Sequence, residues 1–295
     1  MDLSSLTPLE GGWSGQTFLA EAAGERTVVR IYPPGRRDDA APEVDAAVLR
    51  LVRGLVPVPE VLEVRREVAG AGSGQPGVLV TSYLPGERGD LLLPTLTDAD
   101  AATLGARLGG LLADLAGMPT VRSGPFVDAD LTIGDFGLAD GLPGFVADHA
   151  NALGWEIDLL DQLMSAAERA QALLDAVGRT CLVHSDANPK NLLVDPRTLD
   201  VTGLLDWEFA HSGHPFTDLG NLLRFDRRPA YVEAVLAAWC ARRGGTPQEA
   251  LDLARAADLW ALVDLAARAG DNPVADRAHE YLLAIARTGD LHALP

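Results

Sequence analysis

The sequence predicts an α+β fold of two lobes, a small lobe rich in β-strands followed by a larger helical lobe. Short apolar runs with the two-residue period of strands occur in the first 84 residues, and the rest carries long stretches with the period of helices. The chain has 295 residues, 47% of them hydrophobic, which is enough for a sizeable core. We therefore expect an N-terminal lobe over residues 1–84 and a C-terminal lobe over residues 85–295.

A glycine-rich stretch lies near the start of the first lobe, between two strand-like runs. Gly12 and Gly15 allow backbone amides to approach phosphate oxygens, and Ser14 adds a hydroxyl donor. These three residues are therefore candidates for nucleotide binding. Glycine-rich hairpin turns are common, so an ordinary turn is the alternative interpretation.

The next strand and helix supply candidates for a charged pair. Arg30 lies in a strand-like run over residues 26–32. Residues 42–52 begin with proline and carry apolar side chains at the i, i+3, i+4, i+7 spacing of a one-sided helix. Glu43 and Asp45 fall in its first turn, where acidic residues also compensate the helix dipole.

A strongly apolar run over residues 77–84 predicts the last strand of the first lobe, which Pro85 and Gly86 end. Gly154 predicts a break within the second long helical stretch after it. Helices are expected at roughly residues 97–117, 142–176, 216–225, 229–243, 247–269 and 273–288.

The segment His184-Ser185-Asp186-Ala187-Asn188-Pro189-Lys190-Asn191 reproduces the H-x-D-x-x-x-x-N pattern of kinase catalytic loops. Two apolar runs around a turn follow it and predict a β-hairpin with Asn191 at its entrance and Asp206 at its exit. A carboxylate can accept the proton of an attacking hydroxyl, and oxygen ligands suit Mg²⁺. An isolated H-x-D sequence is common by chance, but the whole combination predicts phosphoryl transfer.

This segment, extended from Cys181 to Arg224, resembles the catalytic core of the aminoglycoside phosphotransferase and choline kinase-like superfamily, which has a protein kinase-like fold. The resemblance implies that Asp186 is the catalytic base and that Asn191 and Asp206 bind Mg²⁺. It also implies that Asp218 braces the catalytic loop from the following helix.

Two positions depart from the family's pattern. The loop usually reads H-G-D, so Ser185 replaces a glycine and loses its backbone freedom. A strand lysine paired with a helix glutamate normally holds the nucleotide phosphates. Arg30 takes the place of that lysine, and a guanidinium can bind two phosphate oxygens. The family's Glu-Ala-x-x-Leu run aligns best with Asp45, which we expect to pair with Arg30, and Glu43 is the other candidate.

The resemblance also indicates residues that bind the nucleobase and the acceptor. It implies that the glycine-rich stretch binds the nucleotide and that backbone groups of Ser82, Tyr83 and Leu84 bind the nucleobase at a hinge between the lobes. Backbone recognition does not distinguish ATP from GTP. The helices that shape the acceptor pocket in the family correspond here to segments that contain Glu156, Asp158, Asp161, Trp260 and Asp264, although a solvated helix face is the alternative for each charge.

Lys190 is the single lysine among 24 lysine and arginine residues. It has neither the preceding glycines nor the following Ser or Thr of a Walker A loop, which excludes that nucleotide site. Schiff-base chemistry would also have to use this lysine. Its position in the catalytic loop makes it a candidate for contact with substrate or phosphate, with a solvated charge as the equal alternative, and Glu208 is a second candidate for such a contact.

The net charge is −18, most of it in residues 85–295. This charge disfavours nucleic acid as a partner and favours a polar acceptor, with a cationic acceptor among the options. The sequence has no uncharged apolar run of the length that spans a membrane, about 20 residues. Its two cysteines are unlike a disulfide framework, and its start is unlike a secretory signal. We therefore expect a cytoplasmic protein without a membrane partner.

The residues and the resemblance together predict an ATP-dependent enzyme that uses Mg²⁺ to phosphorylate a hydroxyl group of a small molecule. An antibiotic acceptor, with resistance or self-protection as the outcome, is the leading hypothesis, and a metabolite is the alternative. A non-catalytic nucleotide-binding module is the rival class, supported by the unusual Arg30. A protein kinase is disfavoured because no A-P-E segment follows Asp206. The oligomeric state stays open.

Overall fold

The structure is a computed structural model that describes residues 6–9, 16–22, 24–66, 75–137 and 141–295. The candidates Gly12, Ser14 and Gly15 lie outside the described residues. The strands within them are β1 (Leu6–Pro8), β2 (Gln16–Ala22), β3 (Glu25–Tyr32), β4 (Val61–Arg65), β5 (Gly77–Ser82), β6 (Glu87–Arg88), β7 (Pro119–Thr120), β8 (Gly124–Pro125), β9 (Thr180–Val183), β10 (Leu192–Val194), β11 (Val201–Leu204) and β12 (His211–Gly213). The helices are α1 (Ala41–Val52), α2 (Gly89–Leu92), α3 (Asp98–Leu115), α4 (Gly141–Leu153), α5 (Ile157–Asp175), α6 (Thr217–Leu223), α7 (Pro229–Arg243), α8 (Pro247–Ala266) and α9 (Pro273–Thr288).

The N-terminal region is a five-stranded antiparallel sheet in the order β1-β2-β3-β5-β4. Strand β3 lies between β2 and β5, in a register that aligns Arg30 with Thr17 on one side and with Leu79 on the other. Val29 and Val80 alternate with Arg30 and Leu79 and are buried on the opposite face. Arg30 therefore belongs to the face of the sheet that turns toward the rest of the molecule.

Helix α1 packs against β4 and β5. It begins at Ala41 with Pro42 in its first turn, and it buries Val44, Val48 and Val52 along one side. The predicted one-sided helix is therefore confirmed. A single apolar core continues from this helix into the helical region, so the sheet is fixed to the larger part of the molecule.

The C-terminal region is helical, and each of the predicted helices is present with its ends shifted by a few residues at most. The predicted break at Gly154 is also confirmed. Helix α4 ends at Leu153, Gly154 has a φ of 66°, and α5 begins at Ile157. This conformation lies in the left-handed region, which glycine adopts most easily. The α+β fold class predicted from the sequence is confirmed.

Two glycines allow helices α3 and α7 to pack closely. A Cβ atom on Gly105 would lie 2.8 Å from the carbonyl oxygen of Tyr231, and one on Gly109 would overlap the carbonyl of Val235. The glycines and their partners are each four residues apart, so one stripe of each helix faces the other. Helix α3 also contacts β9 and β11.

Two small sheets position the central loop of the molecule. The predicted hairpin is confirmed as β10 and β11, which pair antiparallel, and β6 adds a third strand. Strands β7, β9, β12 and β8 form the second sheet, in which β9 pairs with β12. The chain leaves β9 at Val183 and enters β10 at Leu192, so the segment between them joins the two sheets. Among the described residues, no helix combines the length and apolarity needed to cross a bilayer.

Candidate active site

His184 opens the loop after β9 and is fully buried. Its Nδ1 accepts a hydrogen bond from the backbone N–H of Asp186 at 3.2 Å, so its Nε2 carries the proton and donates to the carbonyl of Leu205 at 2.8 Å. Burial lowers the pKa of His184 to about 4, which keeps the ring neutral. This residue ties the loop to the exit of the hairpin and is structural in role.

Asp218 holds the loop from the N-terminal turn of α6. Its two carboxylate oxygens accept hydrogen bonds from the backbone N–H groups of His184 at 2.9 Å and Ser185 at 2.7 Å. Burial raises the pKa of Asp218 to about 6. Ser185 has a φ of 67°, in the left-handed region that costs a residue with a side chain about 1–2 kcal/mol. The clamp by Asp218 stabilises this conformation, so the loop keeps its shape although serine replaces glycine.

Asp186 has both carboxylate oxygens bound by amide groups of its own loop. Asn188 Nδ2 donates to Oδ1 at 2.5 Å, and Asn191 Nδ2 donates to Oδ2 at 2.8 Å. Burial raises the pKa of Asp186 above its ordinary value, against the opposing effect of the charge of Arg224 and of these amide bonds. A carboxylate fixed in this way can accept a proton from a hydroxyl group within hydrogen-bond reach of it.

The two predicted metal ligands lie at adjacent ends of the hairpin. Asn191 Nδ2 donates to the carboxylate and to the carbonyl of Asp186, so its Oδ1 remains as the acceptor. Asp206 follows β11 with φ 63° and ψ 62°, and the backbone N–H of Leu205 donates to the carbonyl of Asn191 at 2.8 Å. The hairpin therefore brings both ends of the sequence motif together, as predicted.

These donors fit a magnesium ion. Among the described residues no group of three or more His, Cys, Asp or Glu side chains could hold a metal by itself. Mg²⁺ does not require such a group, because it is commonly held by one or two carboxylates together with waters and the phosphates of a nucleotide. The Asp206 carboxylate and the Asn191 amide oxygen are hard oxygen donors of the required kind.

Arg30 joins the N-terminal sheet to this site. Its Nη1 lies 2.8 Å from Asp206 Oδ1 and its Nη2 lies 2.5 Å from Glu208 Oε2. The side chains of Arg30 and Glu208 are 14% and 3% exposed, so this pair is shielded from solvent. The guanidinium uses its two terminal nitrogens on two carboxylates, a geometry that a lysine cannot reproduce.

The expected pairing of Arg30 with Asp45 is wrong. Asp45 instead accepts hydrogen bonds from the Tyr32 hydroxyl at 2.7 Å and from Arg37 at 2.7 and 3.1 Å. Arg37 lies in the loop before α1 and reaches Asp45 with two bonds, whereas the Arg30 fork points across to the other lobe. Glu208 pairs with Arg30, and its contact with substrate or phosphate stays a prediction.

A cavity of about 480 Å³, the sheet cavity, lies between the N-terminal sheet and the hairpin. Its lining includes the apolar side chains of Val28, Leu79 and Leu193 and the polar side chains of Asp206 and Asn191. Arg30, Asp45, Ser82, Tyr83, Leu84 and Lys190 line it as well. A cavity that combines apolar walls with a few charged groups suits a nucleotide base with its phosphates.

The three hinge candidates differ in what their backbone can offer. The N–H of Ser82 donates to the carbonyl of Glu60 at 2.9 Å, and that of Tyr83 to the carbonyl of Arg26 at 3.4 Å. Of the three, Leu84 is therefore the best candidate for base recognition through its N–H. Leu193 also lines this cavity and was not among the site residues predicted from the sequence. The strand period could have indicated it, because its neighbours Leu192 and Val194 are buried in the core and Leu193 therefore lies on the opposite face.

A larger cavity of about 1920 Å³, the helical cavity, opens on the other side of the catalytic loop. Asp186 and Lys190 belong to its lining, together with the predicted Trp260 and Asp264 of α8. Lys190 lines both cavities and therefore marks their junction. The other predicted wall residues, Glu156, Asp158 and Asp161, are exposed at the start of α5 and lie outside this lining, because that helix turns its apolar face to the core.

The charge of the helical cavity does not follow that of the whole chain. Carboxylates in its lining are Asp90, Asp186, Asp226, Asp264 and Asp271, and cationic residues are Lys190, Arg224, Arg227, Arg228, Arg268 and Arg277. The negative net charge of the chain gave no signal for this local composition. The excess of acidic residues therefore lies elsewhere on the surface.

Comparisons with known proteins agree with this geometry. The model of the phosphotransferase enzyme family, APH, matches residues 5–253. Acyl-CoA dehydrogenase family member 11 of Mus musculus is 24% identical in an alignment of 271 positions that covers 82% of this chain. The homologous protein of Rattus norvegicus shows the same identity and coverage. The chain spans about a third of the length of these curated relatives, since it covers 33% of each.

Solved structures show the same fold. A thermostable mutant of aminoglycoside phosphotransferase APH(4)-Ia, in ternary complex with ADP and hygromycin B, matches with a TM-score of 0.69 and 19% identity, over 97% of this chain and 94% of that chain. The microcompartment-associated aminopropanol kinase matches with a TM-score of 0.68 and 21% identity, over 96% of this chain and 91% of that chain. Since the family model matches more than half of the residues, the chain belongs to the phosphotransferase enzyme family.

Proposed function

We propose that this protein transfers the γ-phosphoryl group of ATP to a hydroxyl group of a small polar molecule, with Mg²⁺ as cofactor. The observation that carries the proposal is the arrangement of Asp186, Asn191 and Asp206 on one loop and one hairpin, between the sheet cavity and the helical cavity. A nucleotide in the sheet cavity and an acceptor in the helical cavity would meet at these three side chains.

Each of these residues has a role in the proposed reaction. The oxygen of the acceptor hydroxyl bonds to the γ-phosphorus, and Asp186 accepts the proton of that hydroxyl. The bond between the γ-phosphorus and the bridging oxygen of the β-phosphate breaks, which releases ADP. Asn191 and Asp206 would hold Mg²⁺, which when bound would neutralise charge on the phosphate oxygens. Asp218 positions the loop through its two backbone hydrogen bonds.

Arg30 is our candidate for binding the nucleotide phosphates. It lines the sheet cavity and lies next to Asp206, one of the proposed metal ligands. A guanidinium at this place can bind phosphate oxygens of a nucleotide beside the metal site that Asp206 would help to form. Glu208 would keep Nη2 of Arg30 in place, in the way that a helix glutamate holds the usual lysine.

The proposed acceptor is a small hydroxylated compound, either an antibiotic or a metabolite. A neighbour of the same fold in complex with hygromycin B supports the first class, and the aminopropanol kinase supports the second. We propose ATP rather than GTP because structural neighbours contain ADP or AMP-PNP. We further propose that residues 1–84 form the nucleotide lobe, that residues 85–295 form the acceptor lobe, and that the protein acts in the cytoplasm, where ATP is available.

The test combines an acceptor screen with variants of the site. Purified protein with Mg²⁺ and ATP is incubated with aminoglycosides, peptide and nucleoside antibiotics, and amino alcohols, and products with an added phosphoryl group are sought by mass spectrometry. Asp186→Asn should lower the rate by a factor of about 10²–10⁴, the usual contribution of a general base. Asp206→Ala should abolish transfer, because a metal ligand is lost.

Asp161→Asn is the matched control, since Asp161 is exposed on α5 and lies outside both cavities. All variants should keep the wild-type circular dichroism spectrum. An Asp206→Ala enzyme with full activity would contradict the proposed metal site. ATP binding without transfer to any acceptor in the screen would favour a non-catalytic nucleotide-binding module instead.

A further inference from the structure

Two arginines in the wall of the helical cavity, Arg227 and Arg277, bond to the backbone rather than to carboxylates. Arg227 Nε donates to the carbonyl of Arg224 at 3.2 Å, and Arg277 Nη2 donates to the carbonyl of Phe225 at 2.9 Å. Other arginines of the same wall have acidic partners, such as Arg228 with Asp226 at 3.1 Å. Neither Arg227 nor Arg277 forms an ion pair within 4 Å of a carboxylate of the described residues, although the charge of Asp258 acts on Arg227.

These two arginines lie against the same aromatic ring. The guanidinium carbon of Arg227 is 5.1 Å from the centre of the Tyr281 ring, and that of Arg277 is 5.7 Å from it. Arg277 also lies 4.6 Å from the centre of the Phe225 ring. Cation–π contact holds both guanidinium groups against this ring, and each guanidinium has N–H donors beyond the one that is bonded to a backbone carbonyl.

Positive charge continues behind this pair into the protein interior. Arg224 and Arg255 are 6% and 4% exposed, and one carboxylate, that of Asp258, pairs with Arg224 at 2.7 Å. Arg255 donates to the carbonyl of Leu223, and its Nε is buried without a hydrogen-bond partner. Burial, followed by the charge of Arg227, lowers the pKa of Arg255 to about 9. A buried group of like charges of this kind costs free energy unless a negative charge compensates it.

The lining as a whole is nearly balanced in charge, unlike the acidic chain. Six of the lining side chains are cationic and five are carboxylates, in a chain whose net charge is −18. Arg227, Arg277 and Asp186 line the same cavity, so a molecule that fills it can contact both the arginine pair and the catalytic loop. A polycationic acceptor would meet repulsion in this wall, whereas an anion would not.

We propose that the acceptor carries an oxyanion group, a carboxylate or a phosphate, which Arg227 and Arg277 bind while the acceptor hydroxyl faces Asp186. This inference rests on the proposed function and specifies its substrate class. Arginine binds carboxylate and phosphate oxygens with paired N–H groups, so either source provides the required chemistry. The aromatic rings of Phe225 and Tyr281 would contact the carbon skeleton next to the oxyanion.

Binding of four compounds with one carbon skeleton tests the inference. Glycerate, glycerol 3-phosphate, the neutral glyceramide and the cationic 3-amino-1,2-propanediol are titrated by calorimetry into protein saturated with Mg²⁺ and AMP-PNP. A charged hydrogen bond contributes about 1.5–3 kcal/mol, so at least one of the two anions should bind about tenfold or more tightly than glyceramide. The anion that binds more tightly identifies the source, carboxylate or phosphate.

Variants show whether the two arginines are responsible. Arg227→Gln and Arg277→Gln should each reduce the affinity for the preferred anion by about tenfold and change that for glyceramide little. Arg287→Gln is the matched control, because Arg287 belongs to the same helix as Arg277 but lies outside the cavity lining. Circular dichroism checks that each variant is folded.

Tightest binding by the amine, no binding by either anion, or unchanged anion binding in both variants would overturn the inference. The binding measurement uses a nucleotide analogue and needs no turnover. Failure of phosphoryl transfer would therefore count against the proposed function alone, and failure of anion binding would count against the inference alone.

Discussion

At the scale of single residues, the site depends on conformations that a sequence indicates only in part. Ser185 and Asp206 both have positive φ values, 67° and 63°, next to the proposed base and at the proposed metal ligand. Residues in this region cost free energy and persist where the surroundings hold them. For Ser185 those surroundings are the carboxylate of Asp218 and the buried ring of His184, so structural residues maintain the geometry of the reactive ones.

Arg30 gives the prediction that belongs to this scale. Arg30→Ala should raise the dissociation constant for ATP by about tenfold or more, because at least one charged hydrogen bond to phosphate is lost. Arg30→Lys should be intermediate, since the charge remains but a single ammonium cannot span Asp206 and Glu208. Fluorescence titration with a labelled ATP analogue measures both variants.

The control for this experiment is Arg65→Ala, because Arg65 is exposed on β4 and pairs with an exposed glutamate. It should bind ATP as the wild type does. Equal affinity of the Arg30→Ala variant and the wild type would show that Arg30 is only a link between the lobes.

At the scale of secondary structure elements, the sequence was a reliable guide where its information is local. Periodicity predicted the helices, and the turn between two apolar runs predicted the hairpin that joins Asn191 to Asp206. The partner of Arg30 could not be found in this way, because Asp206 and Glu208 are 176 and 178 residues away and the spacing of Asp45 on α1 was equally suitable. Such an ion pair depends on how two elements are placed relative to each other, and the periodicity of a sequence gives no information on that placement.

The contact between α3 and α7 gives the prediction for this scale. Gly109→Ala should lower the free energy of unfolding by about 1–3 kcal/mol, because the added methyl group overlaps the carbonyl of Val235 and pushes the two helices apart. Urea denaturation followed by circular dichroism measures the change. Gly178→Ala is the control, since a Cβ atom there meets no atom within 4 Å, and its stability should equal that of the wild type or exceed it slightly.

At the scale of the whole molecule, composition gave the class of the protein but not the character of its cavities. A net charge of −18 made a cationic acceptor reasonable, yet the helical cavity has a balanced lining with an arginine group on one wall. Arg227 and Arg277 come from the segment between α6 and α7 and from α9, which are distant in sequence and adjacent in space. The net charge of a chain does not show which residues come together in space. The charge of the acceptor therefore had to be inferred from the fold.

The response of the molecule to acid is a further prediction. Burial lowers the pKa values of His184 and His214 to about 4, from the ordinary 6.5. Between these values the unfolded chain binds protons that the native state does not, so the free energy of unfolding falls as the pH falls from 6.5 to 4. For the fully buried His184 alone this loss is about 3 kcal/mol. Asp218 opposes it, because its raised pKa of about 6 makes the native state bind a proton first.

His211 also has a lowered pKa, and Asp186 and Glu208 also have raised pKa values, so groups of both kinds titrate in this range. His214→Gln removes one destabilising ring, so its free energy of unfolding at pH 4.5, relative to that at pH 7, should be higher than that of the wild type. Urea denaturation at several pH values measures both slopes. Identical slopes would mean that His214 is able to bind a proton in the native state.

The position of Lys190 has a practical consequence. It is the single lysine of the chain, it is exposed, and it lies where the two cavities meet. An amine-reactive dye would therefore have one side chain to modify besides the α-amino group. A fluorophore attached to Lys190 would lie beside both cavities and respond to a ligand in either of them.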